Sequence, residues 1–162
     1  MVTAKNKNYE IGKWLQGLLE NLTFPTENEN ETGEQVFKKV LLGFDEQKIK
    51  TFGDGVLATC YITGADYQET FGIHNRPVYI KSNIAFIIKG NNLDRYDLAI
   101  RIYDLLQEEL ETNHDWQRLV DETTNKRIVR DTDVINTSFT LSPVGKKLSI
   151  IGFFELRHHV YK

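Results

Sequence analysis

Cysteine, methionine and proline are scarce in this chain of 162 residues, at one, one and three, and the scarcity removes whole classes of protein. With Cys60 as the only thiol, neither an intrachain disulfide nor a cysteine-based zinc site can form. Cys60 stands among strand-forming residues and reads as a small buried hydrophobe. No apolar run is long enough to span a bilayer, and residues 1–30 lack the basic–apolar–small order of a secretory signal. The expectation is a protein made in a cytoplasm, with no membrane partner. Basic clusters are equally absent, the longest being Lys146-Lys147, and the formal charge is −3. Binding nucleic acid through its phosphates needs a positive face, so no direct nucleic-acid recognition is expected.

Reactive constellations are missing as well. There is no phosphate-binding glycine loop, no nucleophile elbow and no HExxH, and Gly145 and Gly152 stand alone. The four histidines do not make a metal site. His158 and His159 are strand neighbours that point to opposite faces, so they cannot share an ion. His74 and His114 fall in loops without a second ligand at useful spacing. The carboxylate pairs Glu108-Glu109 and Asp131/Asp133 lie in hydrophilic surroundings, whereas an acid–base role needs burial to shift a pKa. Ser138 and Ser149 lie in strands with no evident histidine partner. No catalytic, cofactor-binding or metal residue is assigned, and no enzyme activity is expected.

What the chain does contain is a well-patterned core. Hydrophobic residues make up 40% and charged residues 27%, the balance of an ordinary globular domain. In the stretch VYIKSNIAFIIKG, Ile80, Ile84, Phe86 and Ile88 keep one side apolar, with Ser82 the single polar member; this is a strand. Asn92 is a suitable N-cap for the helix expected over 92–111. One face of that helix gathers Tyr96, Ala99, Ile100, Tyr103, Leu106 and Leu110, widened by Leu98, Ile102 and Leu105.

Earlier in the chain, residues 1–8 are polar and read as a flexible end. A helix follows over 9–22, with Ile11, Leu15, Leu18, Leu19 and Leu22 on one stripe. The acidic stretch within 23–35 reads as a solvated loop; it lacks the glycine-centred spacing of a calcium loop. Strands are expected over 36–44, with Val36, Val40, Leu42 and Phe44 alternating, and over 55–62, with Val56, Ala58, Cys60 and Ile62. Residues 64–77 read as a loop.

After the long helix, 112–133 has no clean period and reads as a protruding loop anchored by Trp116, with a short helix near 115–120 possible. Residues 134–141 and 148–160 read as a hairpin whose turn is set by Ser142-Pro143-Val144-Gly145. The fold expected is a single α+β domain over 1–162: a mostly antiparallel sheet of five strands, an N-terminal helix, and one long amphipathic helix between the central strand and a C-terminal hairpin.

The odd-numbered side of the strands also carries hydrophobes: Leu41, Leu57, Ile87, Ile151 and Phe153. Something must cover that second face. The N-terminal helix, docking through Leu15, Leu18 and Leu22, is the simplest cover. A neighbouring subunit is the other, which makes Phe153, Glu155 and Arg157 the candidate subunit interface.

Around Ile84-Ala85-Phe86-Ile87-Ile88-Lys89-Gly90-Asn91, Asp97-Leu98-Ala99 and Ile102-Tyr103-Asp104-Leu105-Leu106, the chain resembles the tail terminator proteins of long-tailed phages, also called minor capsid or tail completion proteins. Leu42-Gly43-Phe44 matches an earlier strand ending of that family loosely. The likeness covers most of the chain as element order and about thirty residues as motif. The 112–133 insertion departs from the pattern.

The resemblance implies a ring, commonly a hexamer, that caps the tail tube and joins it to the head connector in the virion after assembly in the host cytoplasm. Its partners would be further copies of itself, the tail tube protein and the head connector or neck protein. It would act by binding without turnover or cofactor. Another head–tail connector or neck protein, a generic protein-binding α+β module of a cellular complex, and an enzyme are the alternatives left open.

Overall fold

The alternation over 80–88 becomes the middle of a sheet. In a computed structural model, which describes residues 7–28, 30–68, 76–89, 95–121, 123–144 and 147–160, it lies within strand β3 (Arg76–Lys89). Ile80, Ser82, Ile84, Phe86 and Ile88 are all buried on one side of that strand, as a period of two requires. Before β3 come helix α1 (Lys7–Glu20), strand β1 (Lys39–Leu42), short helix α2 (Glu46–Thr51) and strand β2 (Gly55–Gln68). After it come α3 (Arg95–Thr112), α4 (His114–Gln117), β4 (Leu119–Asp121), β5 (Lys126–Val144) and β6 (Lys147–Val160). The strands form one six-stranded sheet in the order β1-β2-β3-β6-β5-β4. Only β1 and β2 run parallel. The fold is α+β and mostly antiparallel, as expected, with six strands where about five were expected.

Two long hairpins, β2–β3 and β5–β6, are joined through β3 and β6, whose register runs from Tyr79↔His159 to Lys89↔Ser149. Both long helices lie on the same side of this sheet. Ile11, Leu15 and Leu19 of α1, and Ala99, Ile102, Leu106 and Leu110 of α3, share one core with Val40, Ala58, Cys60, Ile84, Phe86 and Phe154. Gly152 is part of the design: a Cβ there would collide with the Phe86 ring, which lies directly against this part of β6.

That arrangement corrects the expected cover of the second face. Helix α1 does not dock there; it lies beside α3. Among the described residues the second face receives only α2, whose Ile49, with Phe52 just beyond it, packs on Leu41, Leu57 and Ile87 and on the partly buried Ile151. Helix α2 went unforeseen, in the stretch left unassigned between the two strands expected over 36–44 and 55–62. Gly43 takes a left-handed φ of 91°, which ends β1, and the Asp45 side chain then accepts from the Lys48 N–H as N-cap. The strand expected over 36–44 shrinks to β1 in consequence, and Leu42 and Phe44, expected inside, are 40% and 64% exposed.

Other boundaries shift for local reasons. Strand β2 runs on to Gln68 through an irregularity between Ile62 and Gly64, so part of the loop expected over 64–77 is strand; residues 69–75 fall outside the described ones. Helix α1 begins at Lys7, within the end expected to be flexible, and residues 1–6 also fall outside. So does Asn92, the expected N-cap of α3.

The buried stripe of α3 centres on Ala99, Ile102, Leu106 and Leu110, whereas Tyr96 and Ile100 are 52% and 38% exposed. In the region 112–133 the short helix read near 115–120 is α4, with Trp116 buried, but the remainder is no protruding loop: it holds β4 and the start of β5. The expected turn at Ser142-Pro143-Val144 is instead strand, Ser142 pairing with Ser149 and Val144 with Lys147. Within 23–35, a bridge between Thr23 and Gln35 ties the base of the expected loop.

Candidate functional surface and buried polar groups

The second face is where the chain keeps polar side chains accessible. On β6, the candidate residues Phe153, Glu155 and Arg157 follow one another at a spacing of two, all half-buried, opposite Ala85, Asn83 and Lys81 of β3. The sheet brings the three together as one row, but β6 is an interior strand, so the row crosses the face and does not lie on its edge. Arg157 is held from two sides. Its guanidinium lies 4.5 Å from the centre of the Tyr79 ring, and Nη2 donates to Asp133 Oδ2 at 3.3 Å. Lys81 pairs with Asp66 at 3.3 Å, and Tyr79 meets His159 at 5.0 Å between ring centres. Alternating charge and aromatic rings thus occupy the end of the face that α2 leaves uncovered.

At the other end, Lys89 closes the apolar patch. Its side chain is buried, and Nζ donates to the carbonyls of Ile49, Lys50 (3.3 Å) and Phe52 (3.2 Å). These are the last carbonyls of α2, which have no partner inside the helix and carry the negative end of its dipole. A lysine ending an apolar strand was the signal in the sequence, although without α2 its target was invisible.

A second buried group escaped sequence reasoning. Ser82, the polar member of the β3 pattern, meets His158 Nε2 at 2.6 Å, and His158 Nδ1 meets Thr132 Oγ1 at 2.8 Å. Thr132 donates its hydroxyl proton to the Gln117 carbonyl at 3.2 Å. Proton counting then fixes the chain: Thr132 accepts from Nδ1–H, and Nε2 accepts from the Ser82 hydroxyl. Burial pushes the His158 pKa down to about 3, so the ring is neutral. The Trp14 ring covers it edge-on at 5.7 Å. Ser82 and His158 are both 0% exposed, so no substrate reaches this hydroxyl–imidazole pair in the folded chain. Its evident work is to satisfy three polar side chains inside the core.

The remaining candidates are scattered. His159 packs on Tyr79, His114 is exposed in α4, and His74 lies outside the described residues. Among the described residues no three metal-binding side chains come together. Glu109 accepts from Asn113 at 2.7 Å, Asp131 lies 3.8 Å from Arg130, Ser138 is exposed and Ser149 is buried. Burial pushes the Cys60 thiol up to about 12, leaving it un-ionised.

A cleft of about 520 Å³ separates α1 from the α3–α4 junction, between Trp14, Leu18, Glu109 and Trp116. The Trp14 indole N–H donates across it to the Asp115 carbonyl at 3.1 Å. None of the described helices is long and apolar enough to cross a membrane. No protein-family model matches this sequence, and no curated protein does.

Proposed function

We propose that this protein is a structural component of a phage head–tail junction, a tail terminator that assembles as a ring, commonly a hexamer, on the end of the tail tube. The protein acts by occupying the tube end: once capped, the tube no longer offers its polymerising surface, and the ring presents a new one to the head connector. Of the motif residues that carry the resemblance, Ile84 to Lys89 fall in β3 and Asp97 to Leu106 in α3, the unit on which the core is built; Gly90 and Asn91 lie outside the described residues.

One observation supports binding over turnover. Two buried polar groups, Lys89 on α2 and His158 between Ser82 and Thr132, are engaged in holding the fold together. The accessible polar groups are spread over an uncovered sheet face whose row Phe153, Glu155 and Arg157 takes part in the contacts of the ring. A broad face mixing aromatic and charged groups fits a protein partner better than a small molecule.

Adding purified protein to polymerising tail tube subunits tests the proposal. Tube growth should stop at lengths that shorten as the ratio of this protein to tube subunit rises, with rings visible at tube ends by electron microscopy. Tubes of unchanged length, with no density at their ends, would remove the terminator reading. Binding to the head connector alone would favour a neighbouring neck protein.

A further inference from the structure

We infer that two copies of this chain associate head to tail, the β1 flank of one against the β4–β5 flank of the next, so that the sheet continues from subunit to subunit. Closure of such a chain of contacts into a ring rests on the function proposed above; the contact itself does not.

Exposed apolar side chains carry the inference. Tyr9, Leu42 and Phe44 are 60%, 40% and 64% exposed, and all three lie on the β1 flank. Leu42 lies on β1 itself, and Phe44 follows it, meeting Tyr61 of β2 at 6.0 Å. Tyr9 precedes Gly12 and Gln16 on α1 by three and seven residues, and those positions touch Leu42 and the Val40 carbonyl.

The remaining exposed large hydrophobics among the described residues lie on the opposite flank. Val120 is on β4, Ile135 on β5, and Tyr96 and Ile100 on the side of α3 that leans over β5. Tyr96 meets Phe139 at 5.8 Å, and Tyr103, on the same side, hydrogen-bonds Thr137. Every such side chain is at one lateral boundary or the other, and none is in the middle of the molecule.

The strand edges agree. Strand β4 covers β5 only at Lys126, Arg127 and Val129, so among the described strands the outer side of β5 is unpaired from residue 130 to 144. Among the described strands none covers the outer side of β1. The register places Lys39, Leu57, Ile87, Ile151 and Thr140 in one row, with Lys39 and Thr140 at its two ends. Alternation of direction across the sheet makes β1 antiparallel to β5, so a neighbour in the same orientation presents β1 to β5 in the antiparallel sense. An open edge of this length is a liability that proteins cover or use.

The partner is a second copy and not an unrelated strand, because each flank offers what the other lacks a cover for. Two-fold pairing of β5 with β5 would bury one flank and leave Tyr9, Leu42 and Phe44 in water. Head-to-tail contact buries both, and it is the arrangement that can close into a ring.

Two single-cysteine variants, Lys39→Cys and Thr140→Cys, test this in the full chain; both sites are exposed, and the native Cys60 is buried. Oxidation of a mixture should give a disulfide between the two variants, while neither alone cross-links. Thr140→Cys dimerising by itself would replace the inference with two-fold pairing. Oligomers seen by native mass spectrometry but without the mixed cross-link would overturn this contact and leave the ring reading standing. A chain monomeric at every concentration would overturn both. Ile100→Glu, at an exposed position, should abolish association while circular dichroism stays unchanged.

Discussion

The two faces of the sheet are built on opposite terms. On one, α1 and α3 seal a continuous apolar layer, from Ile11 and Leu15 through Phe86 to Leu106 and Leu110. On the other, α2 sets Ile49 on a patch of three buried sheet residues, Leu41, Leu57 and Ile87, and beyond it the face turns to Asn83, Glu155, Arg157 and their neighbours. Apolar burial contributes about 25 cal/mol per Å², so most of the stability must come from the first face. The second buries less apolar surface and is chemically mixed beyond that patch. A sheet so divided can meet partners on one side without exposing its core on the other.

That division is testable within a single helix. Leu106 of α3 is fully buried, while Ile100 is 38% exposed. Leu106→Ala should lower unfolding free energy by about 2–5 kcal/mol, the cost of losing apolar contact and leaving a cavity. Ile100→Ala should change it by less than about 0.5 kcal/mol. Urea denaturation of both variants is the measurement. Equal shifts would mean that the helix is rotated relative to its buried stripe.

The sealed face also contains a titrating group, and its sign can be worked out. Burial lowers the His158 pKa to about 3 from the ordinary histidine value of 6.5. Between these values the unfolded chain binds a proton that the folded chain refuses, so stability is full above pH 6.5 and falls as the pH drops. One such group contributes a slope of about 1.4 kcal/mol per pH unit, or about 2 kcal/mol lost by pH 5. His158→Gln should be less stable at pH 7, yet lose less than the native chain on going to pH 5. Parallel losses in the two proteins would show that other groups govern the acid response.

On the second face, Lys89 should matter locally. Lys89→Met removes the amine from the last carbonyls of α2 while keeping most of the aliphatic stem. Losing hydrogen bonds to a charged group is partly offset by no longer burying the charge, so the net loss should be about 1–2 kcal/mol. Amide exchange should quicken in 46–52 and stay slow in β3. Quickening throughout the sheet would make Lys89 a support of the whole fold.

What the sequence disclosed follows the same division. The β3 alternation and the stripes of α1 and α3 were legible because one buried face imposes one period. The centre of the α3 stripe was misjudged by about a sixth of a turn at 100° per residue, since Tyr96 and Ile100 are as apolar as the residues that are buried. Helix α2 was hidden: it is six residues long, too short to show a period, and its existence turns on Gly43 and Asp45. The irregular composition of 112–133 concealed β4 and the start of β5, where pairing with neighbours decides the strand. The partnership of Ser82 with His158 spans 76 residues and leaves no local trace. Phe153, Glu155 and Arg157 could be placed on one face from parity alone, yet parity cannot tell an interior strand from an edge.

The smallest effect on stability is expected at Arg157. Its pair with Asp133 is solvent-exposed, with the two side chains 40% and 58% accessible, and exposed pairs contribute about 0–1 kcal/mol. Stacking on Tyr79 adds a contribution of similar size. Arg157→Glu places a second carboxylate beside Asp133, so the isolated chain should lose about 1 kcal/mol and keep its fold. If the uncovered face takes part in assembly, the same substitution reverses a charge at the contact, where like charges cost more because water is excluded. Association should then weaken far more than folding does. Native mass spectrometry of the variant, set beside its urea midpoint, separates the two. A full-strength oligomer from Arg157→Glu would confine assembly to the sheet flanks, and a chain that no longer folds would mean that this face supports the core after all.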